Sequence, residues 1–315
     1  LELKKAENKD YDPAQDLGLT IARDAFSNSN YIENVELPAH LYSMDITSIP
    51  STRLVTIVLG GKDGTKSTGG YYTLNNSVCI DGEGTEKKLF YFAKGITGEY
   101  IIPEEITTIG SLAFSGAKLS SVVIGENVTL IEAYAFSGTS DGKPIDANGE
   151  YSKTVNAYDE PPFKGSACTK LEKITFNGKI DSEYLVIKEG AFYKAGSSST
   201  PVSSLTLPAN LAELGAYAFG DVTGLTTVKV DIAIDVADSE KKYSNNAFAA
   251  KNGAKTITSV TLGANVPSSF SVSNVFGSSK LASVTVDKDN ANFYSDENGV
   301  LYDRVNKEDG SYDYS

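Results

Sequence analysis

The residues that could carry acid–base, nucleophilic or metal chemistry are few and lie far apart in the chain. His40 is the single histidine among 315 residues, and Cys79 and Cys168 are the two cysteines. A serine or cysteine nucleophile needs a histidine base beside it, and a zinc site needs about four ligands of these types. The Walker A and Gly-rich dinucleotide motifs are absent too. The sequence therefore predicts no catalytic activity, no cofactor and no zinc site.

The acidic residues leave two alternatives open. A pair of carboxylates can hydrolyse a glycosidic bond, so a β-helix polysaccharide enzyme is one alternative, although no carboxylate stands apart from the repeated pattern. The segment Asp287-Lys-Asp289-Asn290-Ala-Asn292 is rich in oxygen ligands, as calcium loops are. It lacks the glycine and the bidentate glutamate of an EF-hand. We predict a solvated turn here, with calcium binding by Asp287 and Asp289 as the other alternative.

The overall charge narrows the classes of partner. The 28 basic residues are outnumbered by 41 acids, which gives a formal net charge of −13. Such a surface repels phosphate backbones and anionic lipid headgroups, so nucleic acid is excluded as a partner. No apolar run reaches the roughly 18 residues of a transmembrane helix. Proteins and glycans remain as partners.

The start of the chain predicts export. The chain begins Leu1-Glu2-Leu3 rather than with methionine. This indicates a mature form whose export signal was removed, with a cytosolic fragment as the alternative. Residues 1–16 mix lysines with acids before any apolar period begins, so we predict a solvated leader or tether. The predicted location is extracellular or at the cell surface, with a lipid or wall anchor as an option.

The structural elements of the chain are predicted from a sequence repeat. An Ala-Phe pair recurs along the chain, with related Pro-Phe and Val-Phe pairs. From Phe114 onward the phenylalanines follow at steps of 22, 27, 29, 27, 29 and 28 residues, which is typical of stacked units in a solenoid. The predicted core phenylalanines are Phe26, Phe114, Phe136, Phe163, Phe192, Phe219, Phe248 and Phe276.

A second motif predicts one strand in each unit. Leu225-Thr-Thr-Val228-Lys-Val230 is a clear copy, and equivalents recur from residue 32 to residue 286. The last two apolar positions are two apart, which is the period of a strand with one buried face. Pro or Gly commonly closes the strand. A further apolar stretch then leads to the Ala-Phe pair, whose spacing suits a helical or 3-10 turn.

The composite pattern Leu-x-x-Val-x-Ile-Pro-x-x-Val-x-x-Ile-Gly-x-x-Ala-Phe resembles the BspA-like leucine-rich repeat family of bacterial surface and secreted proteins. Cys168-Thr-Lys-Leu171 matches the family's Cys-x-x-Leu corner. The resemblance covers about residues 17–315. It implies a right-handed leucine-rich-repeat solenoid that is rich in β-structure. A parallel sheet is expected on one face, with short helical or 3-10 turns and loops on the other.

The resemblance also implies β-hairpin insertions in the array. Asn290-Ala-Asn-Phe293 through Tyr302 matches a hairpin that interrupts such arrays, and Ser77 through Phe92 looks like a degenerate copy. We place the interruptions at about residues 71–98 and 288–315. A return strand should follow near Tyr314-Ser315, and the sequence leaves open whether the C-terminus is truncated. Loops are predicted at the inserts 141–159, 177–184 and 231–246.

The tyrosines and cysteines of the array are predicted to be structural. Tyr71, Tyr72, Tyr91 and Tyr100 cluster in the first interruption. We predict that they pack around the hairpin, with a binding patch as the alternative. The two cysteines lie several coils apart, beyond the roughly 7 Å reach of a disulfide. Both are predicted to be buried as free thiols.

The outward positions of the strands form the candidate ligand face. They are mostly serine and threonine, in a nearly continuous ladder that could hydrogen-bond an extended partner. Because these residues also suit the solvated face of any sheet, a purely structural role is the alternative. The candidate residues are Thr56, Ser121, Lys173, Thr175, Ser204, Thr206, Thr227, Lys229, Ser259, Thr261, Ser283 and Thr285.

The resemblance implies a function in binding rather than catalysis. The expected protein is adhesin-like and recognises proteins of a host, a neighbouring cell or the matrix. A glycan-binding protein or a cell-envelope scaffold is the alternative. The chain has no Trp, which counts against strong stacking on sugars.

Overall fold

The computed structural model describes residues 18–82, 84–137, 166–235, 243–249, 256–277, 280–306 and 312–314. The predicted leader at 1–16 and the predicted loop at 141–159 lie outside them. The first strands are β1 (Leu19–Ile21), β2 (Asn34–Leu37), β3 (Leu41–Met44), β4 (Thr56–Leu59), β5 (Tyr71–Leu74), β6 (Ser77–Asp81), β7 (Lys87–Phe92), β8 (Thr97–Ile101), β9 (Thr108–Ile109), β10 (Lys118–Ile124) and β11 (Leu130–Ile131). The later elements are β12 (Lys173–Phe176), β13 (Leu185–Ile187), β14 (Ser204–Leu207), β15 (Leu211–Leu214), β16 (Thr227–Val230), β17 (Ser259–Leu262), the helix α1 (Val272–Phe276), β18 (Ser283–Val286), β19 (Phe293–Ser295), β20 (Leu301–Asn306) and β21 (Tyr312–Tyr314).

The strand motif of each unit builds the predicted parallel sheet. In β16, Val228 and Val230 are buried while Thr227 and Lys229 are exposed, so the alternation in the sequence sets which face meets the core. The hydrogen-bonded ladder is divided into β2–β4, β8–β10–β12 and β14–β16–β17–β18. The sheet is therefore in three pieces rather than nearly continuous.

A second sheet forms where the sequence indicates only a further apolar stretch. Strands β9, β11, β13 and β15 pair in parallel, so that Ile109 lies beside Ile131 and Ile131 beside Ile187. Strand β7 joins them because Leu89 pairs with Ile109. The full order is β15-β13-β11-β9-β7-β6-β5. Apolar residues of the second sheet and of the last two ladders of the first sheet share one core cluster, and those of β2 and β4 pack in a separate cluster.

The repeated phenylalanines stack on one another through this core. Ring centroids lie 4.5 Å apart for Phe114 and Phe136, 4.6 Å for Phe136 and Phe192, and 5.1 Å for Phe192 and Phe219. Two further phenylalanines continue the stack toward the C-terminus at 5.5 and 5.0 Å. These separations are the ones that offset aromatic pairs favour. The stack ties consecutive coils together.

One predicted core phenylalanine, Phe26, does not belong to this stack. Another, Phe163, lies outside the described residues. Phe26 is only half-buried and packs against a separate cluster that contains Ile49. Phe92, which was not predicted, is fully buried 4.8 Å from Phe114.

The turns before the phenylalanines are mostly not helical, and the backbone shows why. Leu112, Tyr134 and Tyr217 stand two residues before a stacked phenylalanine, with φ of +59°, +58° and +54°. A left-handed residue at this position stops a right-handed turn from continuing. Helix α1 is the exception, because the hydroxyl of Ser271 caps it by accepting from the backbone N–H of Asn274 at 3.2 Å.

Two antiparallel ribbons lie where the interruptions are predicted. Strands β5, β6 and β7 form the first, and β19, β20 and β21 form the second. The return strand that was expected near Tyr314-Ser315 is Tyr312–Tyr314. In the first ribbon the return strand β7 also carries Phe92 into the stack. The ribbons are thus joined to the solenoid core.

The tyrosines of the first ribbon are buried, which favours their packing role. Tyr91 is fully buried, and its hydroxyl donates to the carbonyl of Ile49 at 2.7 Å. The hydroxyl of Tyr100 lies 2.8 Å from that of Ser77. Tyr71 and Tyr72 are buried as well. These side chains hold the ribbon against the neighbouring coils rather than forming an exposed binding patch.

Neither cysteine is expected to react with iodoacetamide in the folded protein. Cys79 and Cys168 are free and buried, and burial raises the pKa of each thiol to about 12. Because only the thiolate is nucleophilic, intact-mass spectrometry at neutral pH should find no label when the chain is folded and two labels in denaturant. A Thr285→Cys variant, exposed on β18, provides the reactive control. Labelling of a native thiol at the control's rate would contradict this prediction.

Candidate binding face

The C-terminal four-stranded ladder brings eight of the predicted residues into two rows. The neighbours in the first row are Ser204, Thr227, Ser259 and Ser283. The neighbours in the second row, on the same strands, are Thr206, Lys229, Thr261 and Thr285. Neighbouring strands lie about 4.8 Å apart, and outward residues on one strand about 6.6 Å apart. We call this grid the hydroxyl face, which consists of Ser204, Thr206, Thr227, Lys229, Ser259, Thr261, Ser283 and Thr285.

The other four predicted residues lie outside this grid. Thr56 pairs with Asn34 in the first ladder. Ser121, Lys173 and Thr175 belong to the middle ladder, where Ser121 lies beside Lys173. Their neighbours on the same outward side are Glu99, Ile101 and Val123, so the hydroxyl pattern is lost there.

The side chains of the hydroxyl face are largely open to solvent. Thr206 and Thr227 are exposed, and within the described residues neither hydroxyl has a hydrogen-bond partner. The hydroxyls of Thr261 and Thr285 lie 2.9 Å apart, and the ammonium of Lys229 contacts Asp231 at 2.8 Å. Hydroxyls can donate and accept hydrogen bonds. The arrangement suits recognition of polar groups.

Calcium binding by the segment 287–292 was the alternative to a solvated turn. The central side chain of this segment, Asn290, already makes hydrogen bonds within the protein. Asn290 is fully buried, and its amide donates to the carbonyl of Gly263 at 2.7 Å. Its carbonyl oxygen accepts the backbone N–H groups of Asn292 and Phe293, both at 2.8 Å. Across the residues that the structure describes, no three His, Cys, Asp or Glu residues are grouped to hold a metal ion. The segment is built as a turn that caps the last coil.

A groove at one corner of the coils was not singled out by the sequence analysis. Its volume is about 1050 Å³, and it is bordered by the four loops that enter β7, β9, β11 and β13. We call it the corner groove; its carboxylates are Glu86, Glu104, Glu126, Asp181 and Glu183. The sequence holds a partial signal, since Glu104 and Glu126 each follow the Pro or Gly that closes a strand.

Stacked coils that each carry the strand motif, joined by an aromatic stack, define a leucine-rich-repeat solenoid. The chain matches the repeat family described as BspA type leucine rich repeat region in six copies, over residues 85–219 and 163–297. These ranges cover more than half of the chain. The chain therefore belongs to the BspA type leucine-rich repeat family, which confirms the predicted resemblance.

Several solved structures are similar to this chain at low sequence identity. A leucine rich cell surface protein from Faecalibacterium prausnitzii is 15% identical, covers 81% of this chain and 48% of its own, and has a TM-score of 0.42. The pneumococcal vaccine antigen PcpA is 15% identical, with 82% and 68% covered and a TM-score of 0.44. A leucine-rich repeat protein from Bacteroides ovatus is 14% identical, with 85% and 64% covered and a TM-score of 0.32.

This chain spans about half the length of the first of these proteins. A comparison with curated proteins gave no match. In the described part of the chain, no helix combines the length and the hydrophobicity that crossing a bilayer requires. The family assignment rests on the repeat match.

Proposed function

We propose that this chain is an exported, surface-located binding protein, adhesin-like and without catalytic activity, that recognises other proteins through its hydroxyl face. The observation that carries the proposal is the in-register grid of eight outward side chains on four hydrogen-bonded strands. A rigid scaffold that holds exposed polar groups in fixed positions loses little entropy when it binds. Membership of a leucine-rich repeat family supports a role in protein binding.

Surface location is supported by the family and by the resemblance to a leucine rich cell surface protein. A lipid or wall anchor is part of the proposal. The lack of catalytic activity is part of the proposal, and membership of a leucine-rich repeat family supports it. Glycan binding is the second outcome that the same experiment can return, since hydroxyl rows also hydrogen-bond sugars.

Charge-altering substitutions on the hydroxyl face are expected to abolish binding to a protein target. The triple variant Thr206→Arg, Lys229→Glu and Thr261→Arg changes three of the four residues in the second row. We expect saturable binding of the labelled chain to at least one protein on an array of matrix glycoproteins, mucins and glycans at physiological salt. The variant should bind at least about tenfold more weakly, equivalent to about 1.4 kcal/mol.

A matched variant separates the face from general effects of charge. Thr52→Arg, Lys62→Glu and Thr169→Arg make the same changes at exposed positions outside the face. Equal loss of binding in both variants would show that the hydroxyl face is not the site. Saturable binding to a glycan alone would replace the protein-binding proposal with the glycan-binding one, and silence on the whole array would favour a structural scaffold.

A further inference from the structure

The corner groove lies between two departures from the regular coil. One side is formed by the β6–β7 turn, which supplies Thr85 and Glu86, and the other by the insert between β12 and β13, which supplies Asp181 and Glu183. The loops before β9 and β11 lie between these two sides. Because four neighbouring strands span three steps of about 4.8 Å, the groove extends about 14 Å across the coils.

Each of the four loops presents at least one carboxylate to the groove. Glu86 enters from the first loop, Glu104 from the second, Glu126 from the third, and Asp181 and Glu183 from the fourth. Of these five carboxylates only Glu126 has an ion-pair partner within the described part of the chain, the ammonium of Lys179 at 2.8 Å. The remaining carboxylates repel one another across a shared space, and a cation bound there relieves that repulsion.

An adjoining cavity of about 450 Å³ adds apolar surface to the groove. It shares Glu104 and Glu126 with the groove and is also lined by Ile101, Val123 and Val128. Ile101 is 61% exposed, so its aliphatic side chain is available for contact with a bound partner. The combined surface therefore has an apolar part and a strongly acidic part in direct continuity.

We propose that the corner groove binds an extended segment of a partner protein in which lysine or arginine alternates with aliphatic residues. Alternate side chains of a strand lie about 6.6 Å apart on one side. Three cations on five residues thus span about 13 Å, close to the extent of the four loops. Because successive side chains of a strand point to opposite sides, the aliphatic side chains then face the adjoining cavity at Ile101 and Val123. This site is separate from the hydroxyl face and does not depend on its proposed function.

The test measures binding of labelled peptides to the whole chain by fluorescence anisotropy. The probe is a nine-residue peptide that alternates lysine with valine, and the comparison peptides alternate lysine with serine and glutamate with valine. We expect the lysine–valine peptide to bind most tightly, with affinity falling as salt increases. The triple variant Glu86→Gln, Glu104→Gln and Glu183→Gln should weaken that binding about tenfold or more.

Matched variants show whether the groove or the net charge attracts the peptide. Glu36→Gln, Glu172→Gln and Glu297→Gln remove three exposed carboxylates elsewhere and should change binding less than about twofold. Equal weakening by both triple variants would overturn the proposal, as would tight binding of the glutamate–valine peptide.

A single substitution tests the apolar part of the site. Ile101→Ser should weaken the lysine–valine peptide about threefold or more and leave the lysine–serine peptide unchanged, since only the first places an aliphatic side chain in the cavity. An equal effect on both peptides would remove the cavity from the site. Because the hydroxyl-face variants leave the groove intact, they should bind the peptide normally, so the two proposals can fail independently.

Discussion

Replacing Phe136 with alanine is expected to lower the free energy of unfolding by about 3–5 kcal/mol, the range for a large aromatic truncated in a packed core. Phe136 is fully buried. Its ring stacks on Phe114 at 4.5 Å and on Phe192 at 4.6 Å. The substitution therefore removes two aromatic contacts and leaves a cavity between coils that cannot easily collapse.

Denaturant unfolding followed by circular dichroism measures this loss, with Phe26→Ala as the matched control. Phe26 is only half-buried and has no place in the stack, so its truncation should cost clearly less. A loss below about 1 kcal/mol for Phe136→Ala would mean that the stack does not hold adjacent coils together. Because coils contact only their neighbours, a second unfolding step in the variant would locate the weakened boundary.

The repeated core could be predicted from the sequence because it depends on local features. These are the spacing of apolar residues along a strand and the volume of the phenylalanine side chain in each coil. Alternating apolar residues such as Val228 and Val230 specify one buried strand face wherever they occur. A phenylalanine at a fixed distance from that strand specifies what fills the coil. Phe26 shows the limit of this reasoning, because it belongs to an Ala-Phe pair like the others but is only half-buried and packs outside the stack.

The second sheet and the corner groove depend on contacts between coils that no local pattern specifies. Two-residue strands such as Leu130–Ile131 are too short to show a period of two. The left-handed conformation of Leu112 or Tyr134 is not indicated by those residue types, which rarely adopt it. The groove arises because the insert before β13 and the turn before β7 stand on either side of two regular loops. The lengths of the loops are visible in the sequence, but their side-by-side placement is not.

The turn that closes the last coil depends on one buried amide, that of Asn290. Its nitrogen donates to Gly263 and its oxygen accepts from the backbone N–H groups of Asn292 and Phe293. Asn292 adds a bond from its own amide to the carbonyl of Val266 at 2.9 Å. These hydrogen bonds hold the start of the second ribbon against the coil that contains β17. The polar atoms in these hydrogen bonds are therefore not available as additional ligands for a calcium ion at Asp287 and Asp289.

Asn290→Leu, which keeps the volume and removes the polar atoms, is expected to lower the free energy of unfolding by about 3 kcal/mol. At least three backbone groups lose their partner in a buried site, and each such loss costs about 1–3 kcal/mol before relaxation. Thermal and denaturant unfolding measure the effect, and Asn298→Leu at an exposed position is the control. Stability of the unsubstituted chain should be the same in calcium and in chelator. A calcium-dependent rise that Asp287→Asn with Asp289→Asn removes would instead establish the metal site, and the turn would then be a ligand loop rather than a cap.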